Sequence, residues 1–513
     1  MIALGLIAIV SGIVNVYYAA RIAQGVTSDL RAETYAKIQS FSFGNIEEFS
    51  VGSLTTRLIN DMNQVMNMIM QLFMQLLRMP ILIVGSFIFC IVIIPRYWWV
   101  TVLMVALIVE FGVIVLKKMR ALFGKFQEKM DQIFNQAQET LQGVRVVKSF
   151  NQGPQEVKKF DQTSDKLNDY NIVIGYWFSS VMPAFQLIAY LVITLVVFLI
   201  GRAIASHPTD VTVISPFVNY ILTLLWTIMI AGMTMMQFAR AQISLGRIGE
   251  VLATQPAVKF NEAANKDELG GSVEFDQVTF TYPGSKQPTL ENISFKVKPG
   301  QMVGIVGATG SGKTTIMNLL NRFYDVDAGK ITFDGTDIRQ IQLSSLRSNV
   351  GIVLQDSVLF SGTIADNIRY GKPNATMDEV VAAAKQANIH DFIMSLPQKY
   401  DTWVSDSGSV FSTGQKQLIS IARTILTNPP FLILDEATSN VDTVTEEKIQ
   451  KAMAAVIAGR TSFVIAHRLK MILNSDKIVI LKDREVIEAG NHQQLIKERG
   501  FYYKLYTDQM AFD

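Results

Sequence analysis

Residues 307–314, Gly-Ala-Thr-Gly-Ser-Gly-Lys-Thr, match the pattern G-x-x-x-x-G-K-[ST]. The apolar residues before this loop predict a strand, and the residues after it predict a helix. Glycines in such a loop let backbone N–H groups close around the phosphates of a nucleotide. Lys313 adds a positive charge, and the Thr314 hydroxyl can ligate Mg²⁺. A structural glycine turn is the alternative. The predicted phosphate-contacting residues are Gly307, Ala308, Thr309, Gly310, Ser311, Gly312, Lys313, Thr314 and Thr315.

The stretch "PPFLILDEATS" supplies the carboxylates that a phosphate loop needs. An apolar run ends at Asp435, which is placed to hold Mg²⁺ through water. Glu436 follows it and is placed to act as the general base on an attacking water. In "TSFVIAHRL", His467 also follows an apolar strand. We expect this strand to lie beside the phosphate-loop strand, so that His467 contacts the γ-phosphate; a purely structural histidine is the alternative.

The stretch "VFSTGQKQLISIART", residues 410–424, joins a polar loop to a helical pattern of apolar residues. Backbone N–H groups at the N-terminus of a helix are free to bind an anion. The same polar side chains also make an ordinary helix cap. The residues alone leave both interpretations open for Ser412, Thr413, Gly414 and Gln415.

The composition limits the class of protein. A chain of 513 residues is too long for one compact core, so we expect at least two domains. The formal net charge of +2 gives no reason to expect a nucleic-acid partner. The single cysteine, Cys90, lies in an apolar run and rules out an intrachain disulfide.

Five apolar stretches predict membrane spans, since each approaches the roughly 20 residues that cross a bilayer core. They lie at about 1–20, 79–95, 97–116, 178–201 and 211–236. Buried helices of a soluble protein are the alternative. A signal peptide is a further alternative for residues 1–20, although that stretch lacks the basic start of a signal peptide.

Lysine and arginine are concentrated between the first and second spans and between the third and fourth spans. The positive-inside rule therefore places these two loops, and everything after residue 240, in the cytoplasm, with the N-terminus outside. Both loops have helical spacing, so we expect helices that run on past the membrane. Residues 254–272 mark a linker. The predicted domains are a transmembrane domain at 1–250, a linker at 251–272 and a nucleotide-binding domain at 273–513.

With these motifs, the chain resembles a half-transporter of the ATP-binding cassette (ABC) exporter family. It is most similar to one subunit of the heterodimeric bacterial multidrug exporters. The resemblance implies an α-helical transmembrane domain fused to an α/β P-loop nucleotide-binding domain that uses ATP and Mg²⁺. Residues 307–314 match the Walker A motif, 431–436 the Walker B motif with the catalytic glutamate, and 411–415 the signature loop. The resemblance also assigns roles to Tyr282 (adenine stacking), Gln355 (Q-loop, Mg²⁺), Asp442 (D-loop) and His467 (switch histidine).

Two features of the chain depart from the family pattern. The family implies six spans, with cytoplasmic loops like residues 43–65 and 138–152 in the second and fourth gaps; about residues 44–52 and 150–159 would transmit the motion. We count five spans, with these loops in the first and third gaps, and so expect that the first span is missing. The signature loop reads Phe-Ser-Thr-Gly-Gln where the family has Leu-Ser-Gly-Gly-Gln, and Thr413 therefore replaces a glycine.

The family's signature loop closes over the nucleotide that the other subunit holds. Ser412, Thr413, Gly414, Gln415 and Asp442 are therefore expected to serve a site on the partner, and Thr413 is expected to weaken that site. Glu436 and His467 are intact, so the chain's own site should hydrolyse ATP. This asymmetry predicts a heterodimer with a homologous half-transporter whose signature loop is intact.

The transported substrate is the least determined feature of the sequence. The last span is rich in Met and aromatic residues, which suit promiscuous apolar ligands. Glu110 is a carboxylate within a span, where such a group normally faces a cavity or a partner. Packing or lipid contact is the alternative for each of these residues, and a position near the cytoplasmic end of its helix is the alternative for Glu110. The substrate candidates are Glu110, Trp226, Met229 and Met233.

The leading functional hypothesis is an ATP-driven exporter subunit in the cell membrane that carries multiple hydrophobic or cationic drugs. A homodimeric lipid or peptide exporter is the second reading. The third comes from another class, a non-transporting ABC protein that regulates another membrane protein.

Overall fold

The computed structural model describes residues 2–203, 212–258, 269–355, 357–405, 411–435, 442–465 and 469–510. The chain divides into two compact units, which are treated separately below. The helical unit comprises Met1–Ala36 and Thr55–Ala253, and the sheet unit comprises Lys37–Leu54 and Thr254–Asp513. A short segment of the N-terminal half of the chain thus belongs to the sheet unit.

Long helices with short helices between them build the first half of the chain. They are α1 (Ile2–Gln39), α2 (Phe43–Phe49), α3 (Val51–Thr56), α4 (Met62–Gln71), α5 (Met79–Ile93), α6 (Trp98–Gln142), α7 (Val144–Ser149), α8 (Gly153–Ala203) and α9 (Ile214–Ala253). Among the described residues, five helical stretches are long and apolar enough to cross a membrane, as predicted. At most 33 % of the most apolar window of each stretch is buried. The apolar surface left exposed suits lipid rather than water.

The predicted extension of the helices beyond the spans is confirmed. The helix α1 continues past Arg21 to Gln39, and α6 continues past Lys117 and Lys118 to Gln142. Two π-helical segments, Arg57–Asp61 and Leu72–Leu76, interrupt the stretch from α3 to α5. Such segments lengthen the turn locally and redirect the side chains that follow.

Apolar and polar contacts join the helices of the helical unit. One apolar core includes Cys90 on α5, Met104 on α6, Ala189 on α8 and Leu224 on α9, all fully buried. The buried carboxylate of Asp61 accepts a hydrogen bond from the Ser244 hydroxyl of α9 at 2.6 Å. This bond joins a π-helical segment to the last long helix.

The sheet unit contains all the strands that the structure describes. They are β1 (Val273–Phe280), β2 (Leu290–Val297), β3 (Met302–Gly307), β4 (Ala328–Phe333), β5 (Thr336–Asp337), β6 (Val350–Val353), β7 (Gly362–Thr363), β8 (Trp403–Val404), β9 (Phe431–Asp435), β10 (Thr461–Ile465), β11 (Lys477–Lys482) and β12 (Glu485–Gly490). The helices are α10 (Lys313–Leu320), α11 (Leu343–Asn349), α12 (Ile364–Arg369), α13 (Met377–Gln386), α14 (His390–Ser395), α15 (Thr413–Thr427), α16 (Thr443–Ile457), α17 (His492–Glu498) and α18 (Phe501–Met510).

The main sheet has six strands in the order β12-β11-β3-β10-β9-β6. Every pairing in it is parallel except that of β11 with β12. A parallel sheet is covered on both faces, so its central strands are apolar throughout rather than alternating. The strands β9 and β10 follow this rule, because every residue in them is buried. A second sheet, β2-β1-β4-β5, is antiparallel, and β1 in it has the half-buried alternation that its sequence predicted.

The predicted fold class is confirmed in its architecture: a unit of long apolar helices is fused to an α/β unit built on a mainly parallel sheet. The alternative of a soluble protein with buried apolar helices is disfavoured by the exposed apolar windows of the five helices.

Candidate nucleotide site

The loop 307–314 has the predicted arrangement of strand, loop and helix. The strand β3 ends at Gly307, and α10 begins at Lys313. Gly310 and Gly312 have φ angles of +82° and +98°, which L side chains rarely adopt. Residues 308–310 are exposed, so the loop is open to a ligand. The free N–H groups at the start of α10 lie next to this loop and favour an anion there.

Lys313 is buried within the loop. Its Nζ donates hydrogen bonds to the carbonyl oxygens of Gly307 at 2.8 Å and Ala308 at 2.9 Å. Burial lowers the pKa of Lys313, and the nearby carboxylate of Asp435 opposes that shift. An anion bound in the loop would stabilise the charged ammonium that burial disfavours.

A test of fit for nucleotide phosphates comes from Ser311. Its Oγ is buried and has no hydrogen-bond partner among the residues that the structure describes. A buried hydroxyl without a partner costs free energy, and a phosphate oxygen would satisfy it. The side chain of Thr314 is exposed in the first turn of α10, which leaves its hydroxyl accessible to a metal ion. Both residues fit a nucleotide with Mg²⁺.

Asp435 is the last residue of β9 and lies at the same edge of the sheet as the loop. The strand β10 lies between β9 and β3 and pairs in parallel with both, so all three strands end at that edge. Asp435 pairs with Ile465, the last residue of β10. Gln355 follows β6, the neighbour of β9, and is exposed. The topology therefore places Asp435 and Gln355 on the edge that carries the phosphate loop.

Glu436 and His467 lie outside the described residues. The strands before them are described, and they confirm that the predicted histidine strand β10 lies directly beside the phosphate-loop strand β3. The catalytic roles of both side chains stay predictions.

Tyr282 lies against the helix that follows the phosphate loop. Its hydroxyl donates to Thr315 Oγ1 at 3.2 Å and accepts from Asn318 Nδ2 at 3.1 Å. These two bonds fix the ring beside α10, and the stacking of adenine on it stays a prediction. Asn318 was not singled out from the sequence, because an asparagine within a helix carries no signal of its own.

The loop 411–415 is a helix cap in this structure, and the cap residue is Ser412. The helix α15 begins at Thr413, and Ser412 Oγ accepts a hydrogen bond from the backbone N–H of Gln415 at 3.3 Å. The Gln415 side chain accepts from the N–H of Ser412 at 2.9 Å, which completes a capping box. Thr413 is therefore the first residue of the helix and not its cap. Gly414 is buried in the first turn of α15, whereas the Thr413 side chain is exposed and leaves the N-terminal end of the helix accessible.

Asp442 caps the next described helix, α16. Its Oδ1 accepts from the backbone N–H of Thr445 at 3.0 Å, and hydrogen bonds from Thr445 lower the pKa of Asp442. Its predicted contact with a nucleotide on a partner stays a prediction.

The substrate candidates lie in the helical unit. Glu110 is exposed on α6 and has no hydrogen bond or ion pair within the described part of the chain. Trp226 is half-exposed on α9, while Met229 packs against the apolar core. Met233 lies on α9, and its side chain is outside the description. Nothing in the helical unit brings Glu110 and these residues into one described site.

A phosphate loop and a strand-end carboxylate on one edge of a parallel sheet, in a chain with five apolar helices, define a membrane-bound P-loop ATPase. The chain belongs to the ABC transporter family. The family model "ABC transporter" matches residues 290–439, and the model "ABC transporter transmembrane region" matches residues 1–228. It is an ATPase coupled to export, with several membrane spans and a cytoplasmic ATP-binding domain.

Named relatives and a solved structure resemble nearly the whole chain. The "Putative multidrug export ATP-binding/permease protein YgaD" of Bacillus subtilis (strain 168) is 36 % identical over 96 % of this chain and 85 % of that protein. The "ATP-dependent lipid A-core flippase" of Syntrophus aciditrophicus (strain SB) is 33 % identical over 96 % and 82 %. The solved structure of a bacterial Atm1-family ABC exporter with ATP bound has a TM-score of 0.76 and 31 % identity, over 95 % of this chain and 86 % of that one.

We predict that Gly307→Ala weakens ATP binding by at least about tenfold. The added Cβ would overlap the Leu481 carbonyl oxygen and Ser311 Oγ, and such overpacking typically costs about 1–3 kcal/mol. Titration with a fluorescent ATP analogue in EDTA measures the affinity. Gly246→Ala on α9 is the control, because nothing lies within 4 Å of the added Cβ there and Gly246, like Gly307, does not have a left-handed φ. An affinity of the Gly307→Ala variant within twofold of wild type would contradict the proposed phosphate site.

Proposed function

We propose that the chain is one half of a heterodimeric exporter of hydrophobic or cationic drugs. In this proposal residues 1–250 form the transmembrane domain, 251–272 the linker and 273–513 the nucleotide-binding domain. The observation that carries the nucleotide part is the buried ammonium of Lys313 beside the orphaned Ser311 hydroxyl, on the sheet edge where Asp435 ends β9. A bound triphosphate would supply negative charge to the buried ammonium of Lys313 and a hydrogen-bond partner to the Ser311 hydroxyl.

Each residue of this chain has a separate proposed role at the chain's own nucleotide site. Lys313 and the backbone of 307–314 hold the phosphates, and Tyr282 offers its ring to the adenine. Thr314, Gln355 and Asp435 are the ligands proposed for Mg²⁺, which when bound neutralises phosphate charge. Glu436 takes the proton of the attacking water, and His467 contacts the γ-phosphate. Only sequence supports these last two roles.

The signature loop supports the heterodimer. An exposed cap at the N-terminus of α15 is suited to meet an anion from outside the chain. Thr413 stands at the first position of that helix, and its side chain would keep the backbone away from a phosphate that glycine would admit. The loop would therefore complete a weaker site on the partner, while the partner's intact loop completes the site at Lys313.

The class of substrate is supported by the named relatives and by Glu110. One relative is named for multidrug export, which agrees with a Met-rich last span. Another is named a lipid flippase, and a homodimeric lipid exporter is therefore the second candidate function. Export of dyes from vesicles that contain the purified complex separates these candidates, and it also excludes a regulator that transports nothing.

We expect Glu436→Gln to lower ATP turnover by about 10²–10⁴-fold while ATP still binds, because loss of a general base typically costs that much. Phosphate release by the assembled complex measures turnover. The matched control is Glu447→Gln, an exposed carboxylate that pairs with Lys451 at 2.7 Å, and such surface pairs contribute little. If turnover of the Glu436→Gln complex stays within a few-fold of wild type, hydrolysis occurs at the partner's site instead.

The proposed asymmetry predicts that Thr413→Gly tightens nucleotide occlusion at the partner's site without restoring hydrolysis there. Glycine removes the side chain that keeps the backbone away from the partner's phosphate, but it supplies no general base for hydrolysis. Thr413→Ala is the matched control, since alanine keeps Cβ and should occlude less than glycine. Ser412→Ala should loosen the same site, although it also removes the cap of α15, which typically costs about 1 kcal/mol of stability.

Site-resolved trapping of labelled nucleotide reports these differences between the two sites. Equal occupancy of both sites in the wild-type complex would refute the asymmetric account.

Glu110→Gln should weaken efflux of cationic dyes and leave efflux of neutral dyes within about twofold. The reason is that a carboxylate within a span has a strong need for a cationic or polar partner. Initial rates of dye efflux from vesicles give the comparison, with Glu128→Gln on the exposed cytoplasmic part of the same helix as control. Equal losses for both classes of dye, or no loss, would remove Glu110 from the substrate path.

A further inference from the structure

The helices α6 and α8 lie side by side at the level where the apolar stretch of α6 ends. Met119 of α6 and Ile174 of α8 are buried in one apolar cluster, and Trp177 of α8 packs against it. Farther along α6 toward its start, the rings of Phe111 and Phe185 meet edge to face with their centroids 5.6 Å apart. These contacts make the two helices antiparallel and place the turn around Met119 level with the turn around Trp177.

A group of three positive charges, here called the basic turn, follows the apolar stretch of α6. It consists of Lys117, Lys118 and Arg120, and all three side chains are exposed. None of them has a hydrogen bond or an ion pair within the described part of the chain. Neither residues 117–127 on α6 nor residues 170–180 on α8 include an aspartate or a glutamate. Three charges within about 5 Å of helix length therefore have no counter-charge on either helix.

Two other arginines of the helical unit are paired within the chain. Arg57 forms an ion pair with Glu250 at 3.0 Å, and Arg247 lies 3.8 Å from the buried carboxylate of Asp61. Those charges serve contacts between helices. The basic turn has no such contact among the described residues, so its charges are available to a ligand from outside the chain.

The residues around the basic turn match the interfacial layer of a bilayer. On α8, Tyr176 and Phe178 are 75 % and 60 % exposed, and Trp177 lies between them in sequence. Rings of Trp and Tyr are enriched where the hydrocarbon core meets the headgroups. In the turn before the basic turn, α6 exposes apolar side chains, those of Val113, Ile114 and Leu116. The surface is thus cationic at one end and apolar at the other.

We propose that the basic turn and the aromatic residues 176–178 form a binding site for an anionic phospholipid of the cytoplasmic leaflet. The headgroup phosphate accepts hydrogen bonds from Arg120 and from the two lysine ammonium groups, and the acyl chains cover the exposed apolar side chains of α6. A free phosphate or an acidic protein segment would neutralise the charges but would leave those apolar side chains uncovered. The inference depends on the position of these helices in the membrane and not on the nucleotide site.

Quenching of Trp177 fluorescence by lipids with brominated acyl chains measures which lipid occupies the site, because bromine quenches only nearby indole rings. The purified complex is placed in vesicles of phosphatidylcholine mixed with brominated phosphatidylglycerol. A second set of vesicles carries the bromine on phosphatidylcholine instead. Subtracting the emission of the Trp177→Phe complex separates Trp177 from the other tryptophans.

The wild-type complex should prefer phosphatidylglycerol to phosphatidylcholine at Trp177 by at least about fivefold, the effect expected of one cation at a membrane surface. The triple variant Lys117→Gln, Lys118→Gln and Arg120→Gln should reduce this preference to less than twofold. Replacing both lysines with arginine keeps the charge, so the double variant Lys117→Arg and Lys118→Arg should keep the preference.

The matched control removes the same charge elsewhere on the cytoplasmic helices. It carries Lys148→Gln, Lys158→Gln and Lys159→Gln, three exposed lysines about 30 Å from the basic turn along the helices. This control should keep the wild-type preference, because interactions between exposed charges are largely screened beyond about 10 Å at 0.1 M salt.

Four results would overturn the inference. The first is equal quenching by the two lipids in the wild-type complex, and the second is an equal loss in the control, which would indicate a general effect of surface charge. The third is relief of quenching by millimolar glycerol 3-phosphate, since the site would then take a free phosphate. The fourth is loss of the partner subunit from the triple variant, because the basic turn would then contact that subunit. The assay needs no nucleotide, so failure of ATP binding would leave this inference standing.

Discussion

The strand that carries the phosphate loop, β3, pairs in parallel with β10 on one side and with β11 on the other. Parallel strands end at a common edge, and the next pairing, β10 with β9, brings Asp435 to that edge as well. Every residue of β9 and β10 is buried, so the hydrophobic core fixes the register of the strands that deliver the polar groups. The proposed nucleotide site depends on this alignment, because it brings Lys313 and Asp435 to the same edge of the sheet.

Two buried polar side chains at this edge, those of Lys313 and Ser311, need a partner that the described residues do not supply. Among the described residues, Lys313 Nζ donates to backbone carbonyl groups and to no carboxylate, and Ser311 Oγ has no partner. In the proposed site, the triphosphate of a bound nucleotide would satisfy both groups. The helical unit follows a different rule, since its apolar residues are exposed over long helices and require lipid or other helices around them. Proteins of the ABC transporter family combine both kinds of unit, an ATP-binding domain and a transmembrane region, in one exporter.

Local patterns in the sequence predicted much of this architecture. The phosphate loop, the buried strands before Asp435 and His467, and the five apolar helices all carry strong local signals, and each is confirmed. The sequence did not decide which residue caps α15, because Ser412 and Thr413 are both good cap residues. The backbone of the structure shows that the cap is Ser412. The hydrogen bonds of Asn45 with Gln255 and Ala257 join residues far apart in sequence, and no local pattern records such pairs.

A structure of the assembled complex with a non-hydrolysable ATP analogue and Mg²⁺ tests the central claim most directly. The account predicts a triphosphate within hydrogen-bonding distance of Lys313 Nζ and the backbone of 307–314, with the base against the Tyr282 ring. It also predicts that residues 412–415 face a nucleotide held by the other subunit. Phosphates bound away from 307–314, or a signature loop that contacts only its own chain's nucleotide, would contradict it.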